Sequence, residues 1–165
     1  MCTFGKAVAG GYPLAGVAGK REIMESGVHP VGTFNANPIA VSAGVATIRE
    51  LEKPGIYEKM ATITLQLTQG ITSIADQKGI DLFCAGIASI WQLQFGITAP
   101  MTDYRDTFKL DKPAYQKFPM MCLERGIRFH PMRGRFYTSA AHTEADVDRT
   151  LEVVEEVLST LAGKD

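Results

Sequence analysis

The chain has 165 residues, 45% hydrophobic and 21% charged, a balance that suits a folded domain, or one domain plus part of another. Its formal net charge of −1 offers no general attraction to nucleic acid or an anionic membrane, so any anionic ligand must be held by a few placed groups. The cysteines (Cys2, Cys84, Cys122) and histidines (His29, His130, His142) lack disulfide-framework or metal-ligand spacing, and no apolar run would span a bilayer, which reads as a cytoplasmic protein without a metal site.

Residues 5–19, GKAVAGGYPLAGVAG, hold five glycines among small apolar residues. That texture suits short strands and tight turns, where backbone comes close to a ligand or to other backbone. Asn37-Pro38 predicts a helix start, with Asn as N-cap and Pro at the first position. The helix continues through IAVSAGVATIRELEK and stops near Pro54-Gly55, and its small residues predict close packing. A second helix follows: Ile56, Met60, Ile63, Leu67, Ile71 and Ile74 share one face, and Gly79 ends it.

IDLFCAG and ASIWQLQFG then read as two strands joined by a glycine-containing turn. Residues 98–112 are polar and irregular, as in a surface loop. A shorter helix is expected over Tyr115–Glu124, kinked or restarted at Pro119. IRFHP reads as a strand, MRGR as a turn and FYTSAA as a returning strand. Thr143 and Asp146 form a capping-box pattern with Asp in place of Glu. Val147, Leu151, Val154, Leu158 and Leu161 make the buried stripe of the helix behind it.

The fold class is therefore α/β. Residues 56–165 read as a small domain with a mainly antiparallel sheet. Residues 1–55 have few large apolar side chains and too little mass for a core of their own, so they read as one edge of something larger.

Lys6, between Gly5 and an apolar run, is the first candidate for chemistry. Desolvation there would lower its pKa and free the amine as a nucleophile; the alternative is a solvated lysine at a strand end. It is no phosphate-loop lysine, because the required glycine and the following Ser or Thr are missing. Thr33 reads locally as a turn residue, and Arg133 and Arg135 as solvated turn arginines. His130 and His142 read as structural, and Trp91 as core.

GKAVAGGYPLAGVAGKREIM followed by GTFNANPIAVSAGVATI resembles the cofactor-lysine region of class III aminotransferases, fold type I enzymes that use pyridoxal 5′-phosphate (PLP). The resemblance is to the glutamate-1-semialdehyde aminomutase-like branch. Gly5, Lys6, Gly10, Gly11, Pro13, Gly19, Arg21, Glu22, Ile23 and Met24 fit the order of that motif. Gly32, Thr33, Asn37 and Pro38 fit the later one, and ERGIRFHP…YTSAAHTEADVDRTLE resembles the family's closing strand and helix.

The resemblance implies that Lys6 forms a Schiff base with PLP and, once displaced, moves a proton at the substrate carbon. It implies that Gly32 and Thr33 bind the cofactor phosphate of the neighbouring subunit in a homodimer. It places Arg133 or Arg135 on a substrate carboxylate. The partners would be an amino-acid or amine substrate and a keto or aldehyde acceptor, with no nucleic acid and no membrane.

The sequence departs from the pattern at Ala9, at Ala15-Gly16 and at Pro119. It also lacks the family's earlier phosphate loop, ring-stacking aromatic and pyridine-pairing aspartate. It is thus expected to be the C-terminal part of an enzyme, with 1–55 belonging to the cofactor domain, and to be inactive alone. A non-catalytic assembly module of the same fold, and a PLP racemase or decarboxylase, fit the same motif.

Overall fold

The computed structural model describes residues 1–27, 32–131 and 134–163. Two compact units divide the chain, Met1–Ile56 and Tyr57–Asp165.

In the first unit β1 (Cys2–Phe4) pairs antiparallel with β2 (Gly16–Ala18), with Phe4 opposite Gly16. The Phe4 ring lies where a side chain at position 16 would stand, so only glycine admits it. The loop between the strands winds through a 3-10 turn at Lys6–Ala9, and α1 (Arg21–Met24) follows β2. The helix predicted at Asn37-Pro38 is α2 (Pro38–Leu51), and Asn37 accepts from the amides of Ile39 and Ala40. Its close packing rests on Gly44, where a Cβ would come within 2.7 Å of Leu14 Cδ2. Otherwise only Ala40 of α2 is buried, and Ile39, Val45 and Ile48 stay exposed. The small-residue helix packs closely along one line, where Gly44 meets Leu14, and is open elsewhere.

The second unit begins on α3 (Ile56–Lys78), whose face buries Met60, Ile63, Leu67, Ile71 and Ala75. Gly79 closes it: Ile80 N–H bonds to Ala75 O and Gly79 N–H to Asp76 O, a Schellman cap with glycine at φ 71°. β3 (Leu82–Ile87) and β4 (Ile90–Phe95) then form the expected hairpin. Its turn is Ala88-Ser89, with Ala88 at φ 49°, and contains no glycine. Gly86 instead lies in β3 opposite Trp91, where a Cβ would meet Trp91 Cβ at 2.6 Å and Thr64 Cγ2 at 2.9 Å. That glycine serves packing.

The stretch expected to be an irregular loop contains a 3-10 turn, Tyr104–Lys109, closed by a capping box between Asp103 and Asp106. The next helix, α4 (Lys112–Glu124), starts earlier than expected because Asp111 caps it and Pro113 sits in its first turn. It runs through Pro119 without a break, and that ring is fully buried.

IRFHP does not form the expected strand. Ile127 N–H bonds back to Cys122 O to complete the cap of α4, and the His130 carbonyl accepts from the Tyr115 hydroxyl, so this backbone is engaged elsewhere. The returning strand is short, β5 (Arg135–Tyr137), and pairs with β4 through Ile90↔Tyr137, Trp91↔Phe136 and Gln92↔Arg135. The sheet order is β3-β4-β5, antiparallel throughout. Finally α5 (Glu144–Leu161) carries the predicted Thr143/Asp146 capping box. Val153 and Val157 join its buried stripe, while Leu151 and Leu161 are only partly buried.

Alternation along the strands sends Leu82, Trp91, Leu93, Phe95 and Phe136 into one core with α3, α4 and α5. Phe129 joins them, edge-on to Trp91 at 6.2 Å and tilted against Phe118 at 5.0 Å. The opposite sheet face carries Gln92 and Arg135 side by side on neighbouring strands. Among the described residues no helix is long and apolar enough to cross a membrane.

Candidate active site

Lys6 stands two residues beyond β1, and its backbone adopts the left-handed conformation, φ 57°. A non-glycine residue pays about 1–2 kcal/mol for that geometry. The preceding Gly5 is extended and contacts Ala15, and Gly10 ends the turn at φ 58°. The lysine side chain is exposed, and no ion pair or hydrogen bond holds it among the described residues. The desolvation expected from the sequence is therefore not supplied among the described residues: the flanking glycines and alanines are too small to cover an amine.

Thr33 opens a turn ahead of α2. Asn35 N–H bonds to Gly32 O at 3.1 Å and Asn37 N–H to Phe34 O at 3.3 Å, with Ala36 at φ 55°. Gly32 makes room for the Asn35 side chain, since a Cβ there would come within 2.9 Å of its Oδ1. Both Gly32 and Thr33 are exposed, and the Thr33 hydroxyl is without a partner among the described residues. Two amides at the start of α2 are taken by Asn37. An anion at Thr33 would thus meet the Thr33 hydroxyl rather than the helix amides that Asn37 already holds. No hydrogen bond joins Lys6 to Gly32 or Thr33 among the described residues.

Arg133 lies outside the described residues. Arg135 sits on strand β5 and not in a turn, exposed and unpaired among the described residues. It lines a groove of about 500 Å³ together with Arg128, His142 and Asp146. His142 Nδ1 accepts from the Ser139 amide at 3.0 Å, so this ring is built into the turn before α5. The Thr143 hydroxyl and amide hold the Asp146 carboxyl below its usual range. Trp91 is core, as expected, though its buried Nε1 has no acceptor among the described residues.

Arg128 was not among the residues singled out from sequence. The signal was present in its position: it is exposed between the partly buried Ile127 and the buried Phe129. Cys84 and Cys122, by contrast, are excluded as nucleophiles, because burial pushes both thiols up to about 12. No cluster of metal-ligating side chains occurs among the described residues.

Residues 1–83, just over half of the chain, match the family described as aminotransferase class-III. The chain belongs to the class-III aminotransferase family. Over 96% of its length this class-III chain is 36% identical to the glutamate-1-semialdehyde 2,1-aminomutase of Nitrosospira multiformis, of which it covers 39%. Its fold superposes on an omega-transaminase from Sphaerobacter thermophilus with TM-score 0.85 and 25% identity, over 95% of this chain and 37% of that one. A transaminase solved with PLP bound gives TM-score 0.81 at 23% identity, over 98% and 38%, a likeness of fold alone. The α/β architecture is thus that of part of a transaminase. This class-III aminotransferase chain spans about two-fifths of the length of the curated relatives it matches.

Proposed function

We propose that the chain is the C-terminal part of a PLP-dependent enzyme that transfers an amino group, by aminotransferase or aminomutase chemistry, with Lys6 as its cofactor lysine. The observation that carries this reading is the presentation of Lys6. It is the one lysine of the Gly-rich stretch 5–19, its amine is unengaged among the described residues, and its backbone is held in a strained conformation of the sort found at functional sites.

The donor set fits the group. A primary amine is what an aldehyde cofactor needs, and the Thr33 hydroxyl, without a partner among the described residues, suits a phosphate. When bound, PLP supplies an electron sink for the substrate carbon. Lys6 Nζ is the group that would hold it covalently. In the loaded enzyme the Lys6 Nζ amine would accept the proton of the substrate carbon and return it, since it would stay beside the reacting atoms. Gly32 and Thr33 serve the phosphate of a partner subunit's site, which makes the intact protein a homodimer. Arg135, or Arg133, takes the carboxylate of an amino-acid donor, and a keto or aldehyde compound is the acceptor.

Incubation with PLP, borohydride trapping and peptide mapping tests the reading. The expected result is a pyridoxyl adduct on Lys6 that Lys6→Arg abolishes. Amino transfer that persists without any adduct on Lys6 would refute it. Absence of both adduct and turnover in the intact protein would leave a non-catalytic assembly module.

A further inference from the structure

We infer that the free edge of β3 is a docking site for an extended peptide segment, which adds to the sheet as a fourth strand and carries a basic side chain at the end beside Asp76. The ladder decides which backbone groups are on offer. Gly96 N–H bonds to Asp81 O at 2.8 Å, so the alternate pairs Phe83–Gln94, Ala85–Gln92 and Ile87–Ile90 are the bonded ones between β3 and β4. Leu93, opposite Cys84, instead turns its N–H to Gly134 O on the β5 side. The N–H and C=O of Leu82, Cys84 and Gly86 therefore point outward from β4, and nothing bonds them among the described residues. β3 reads LFCAGI, without the charge, proline or bulge that shields a free edge from other strands.

Beside this edge runs a groove of about 580 Å³, with Cys84 and Gly86 on one side and Leu65, Thr72 and Asp76 of α3 on the other. Thr64 lies next to Gly86, so α3 runs back along β3 and its Asp76 end lies towards Leu82. Leu65 to Asp76 spans about 16 Å at the helical rise, the length of about five residues of strand. The Thr68 and Thr72 hydroxyls bond to carbonyls of α3 itself, so much of this wall offers packing alone. Asp76 is the charged group of the groove, exposed and without an ion pair among the described residues. Asp81, at the same end, is likewise unpaired. An added strand turns alternate side chains onto α3 and sets the others beside Phe83, Ala85 and Ile87 on the opposite face. An uncharged edge with unpaired acids at one end selects a largely uncharged strand that ends in a basic residue.

The test titrates the full chain with the peptide acetyl-VTVTVK-amide, followed by NMR shift mapping and amide hydrogen exchange. Binding should be saturable. The amides of Leu82, Cys84 and Gly86 should gain protection, while those of Phe83, Ala85 and Ile87, already bonded to β4, gain little. N-methylation of the second peptide threonine removes an N–H that faces β3 and should abolish binding. N-methylation of the middle valine, whose N–H faces away, should leave it. Asp76→Asn should weaken the peptide by about two- to fivefold at low ionic strength, and so should glutamate in place of the peptide lysine. The inference is overturned if the folded chain does not bind the peptide, if protection falls on consecutive residues of β3, if the two N-methylated peptides bind alike, or if D76N binds as the parent does. A chain that sediments as a dimer and shows the alternate protection without peptide would assign the edge to a second copy, which also overturns it.

Discussion

The Tyr115 hydroxyl donates to the His130 carbonyl oxygen at 2.7 Å, tying α4 to the segment that carries Arg128. Burial pushes this phenol up to about 12, so the donor keeps its proton across neutral pH. Tyr115→Phe retains the ring and loses the bond. Urea denaturation should show a loss of about 0.5–1.5 kcal/mol with an unchanged slope. An unchanged midpoint would mean that the carbonyl finds solvent at no cost.

The left-handed backbone of Lys6 predicts that two amine-free variants differ in stability. Lys6→Gly should be more stable than Lys6→Ala by about 1 kcal/mol, because only glycine adopts φ 57° without a Cβ clash. Neither should form a covalent PLP adduct. Equal melting temperatures would show that the strain is relaxed in solution.

Thiol reactivity divides the three cysteines. Cys2 is exposed, Cys84 is partly and Cys122 fully buried, and burial raises the last two thiols to about 12. A thiol-disulfide reagent at neutral pH should modify one cysteine rapidly, and Cys2→Ser should abolish that phase. Two or three fast equivalents would contradict the packing described for β3 and α4.

Asp146 caps α5 and its carboxyl is held low, chiefly by the Thr143 hydroxyl and then by the Thr143 amide. A folded-state pKa below the unfolded one gives stability that is present above the unfolded carboxylate value of about 3.9 and lost as pH falls below it. Asp146→Asn should therefore lower stability at neutral pH and flatten the acid side of the stability–pH curve. A curve parallel to that of the parent would place the acid sensitivity elsewhere, with Asp106 as the next carboxyl to replace, since Lys109 and the residue 102–103 amides also hold it low.

Several parts of the molecule were legible in advance because their causes are local. Asn37, Gly79 and the Thr143/Asp146 pair each satisfy helix-end groups within a few residues of themselves, so composition alone marks those boundaries. The stripe of α3 and the alternation of β4 likewise encode which face is buried. Lys6 was marked by its glycine neighbours, and they also explain why it is exposed: small residues allow close backbone approach and give no cover.

Other features depended on partners far along the chain. Gly86 looked like a turn residue, yet pairing places it opposite Trp91 and beside Thr64, which moves the turn to Ala88-Ser89. IRFHP has the alternation of a strand, but its backbone groups are drawn to Cys122 and Tyr115, and a strand exists only where a neighbour answers its hydrogen bonds. Pairing with Gln92 puts Arg135 on β5, and the fold brings it to the same groove as Arg128. The sequence by itself determined the capped helices, the buried faces and the cofactor-lysine motif, because those follow from interactions a few residues apart. Only the tertiary structure decided which polar backbone found a partner and which charges came to share a cavity, because those outcomes are settled by competition between segments distant in the chain.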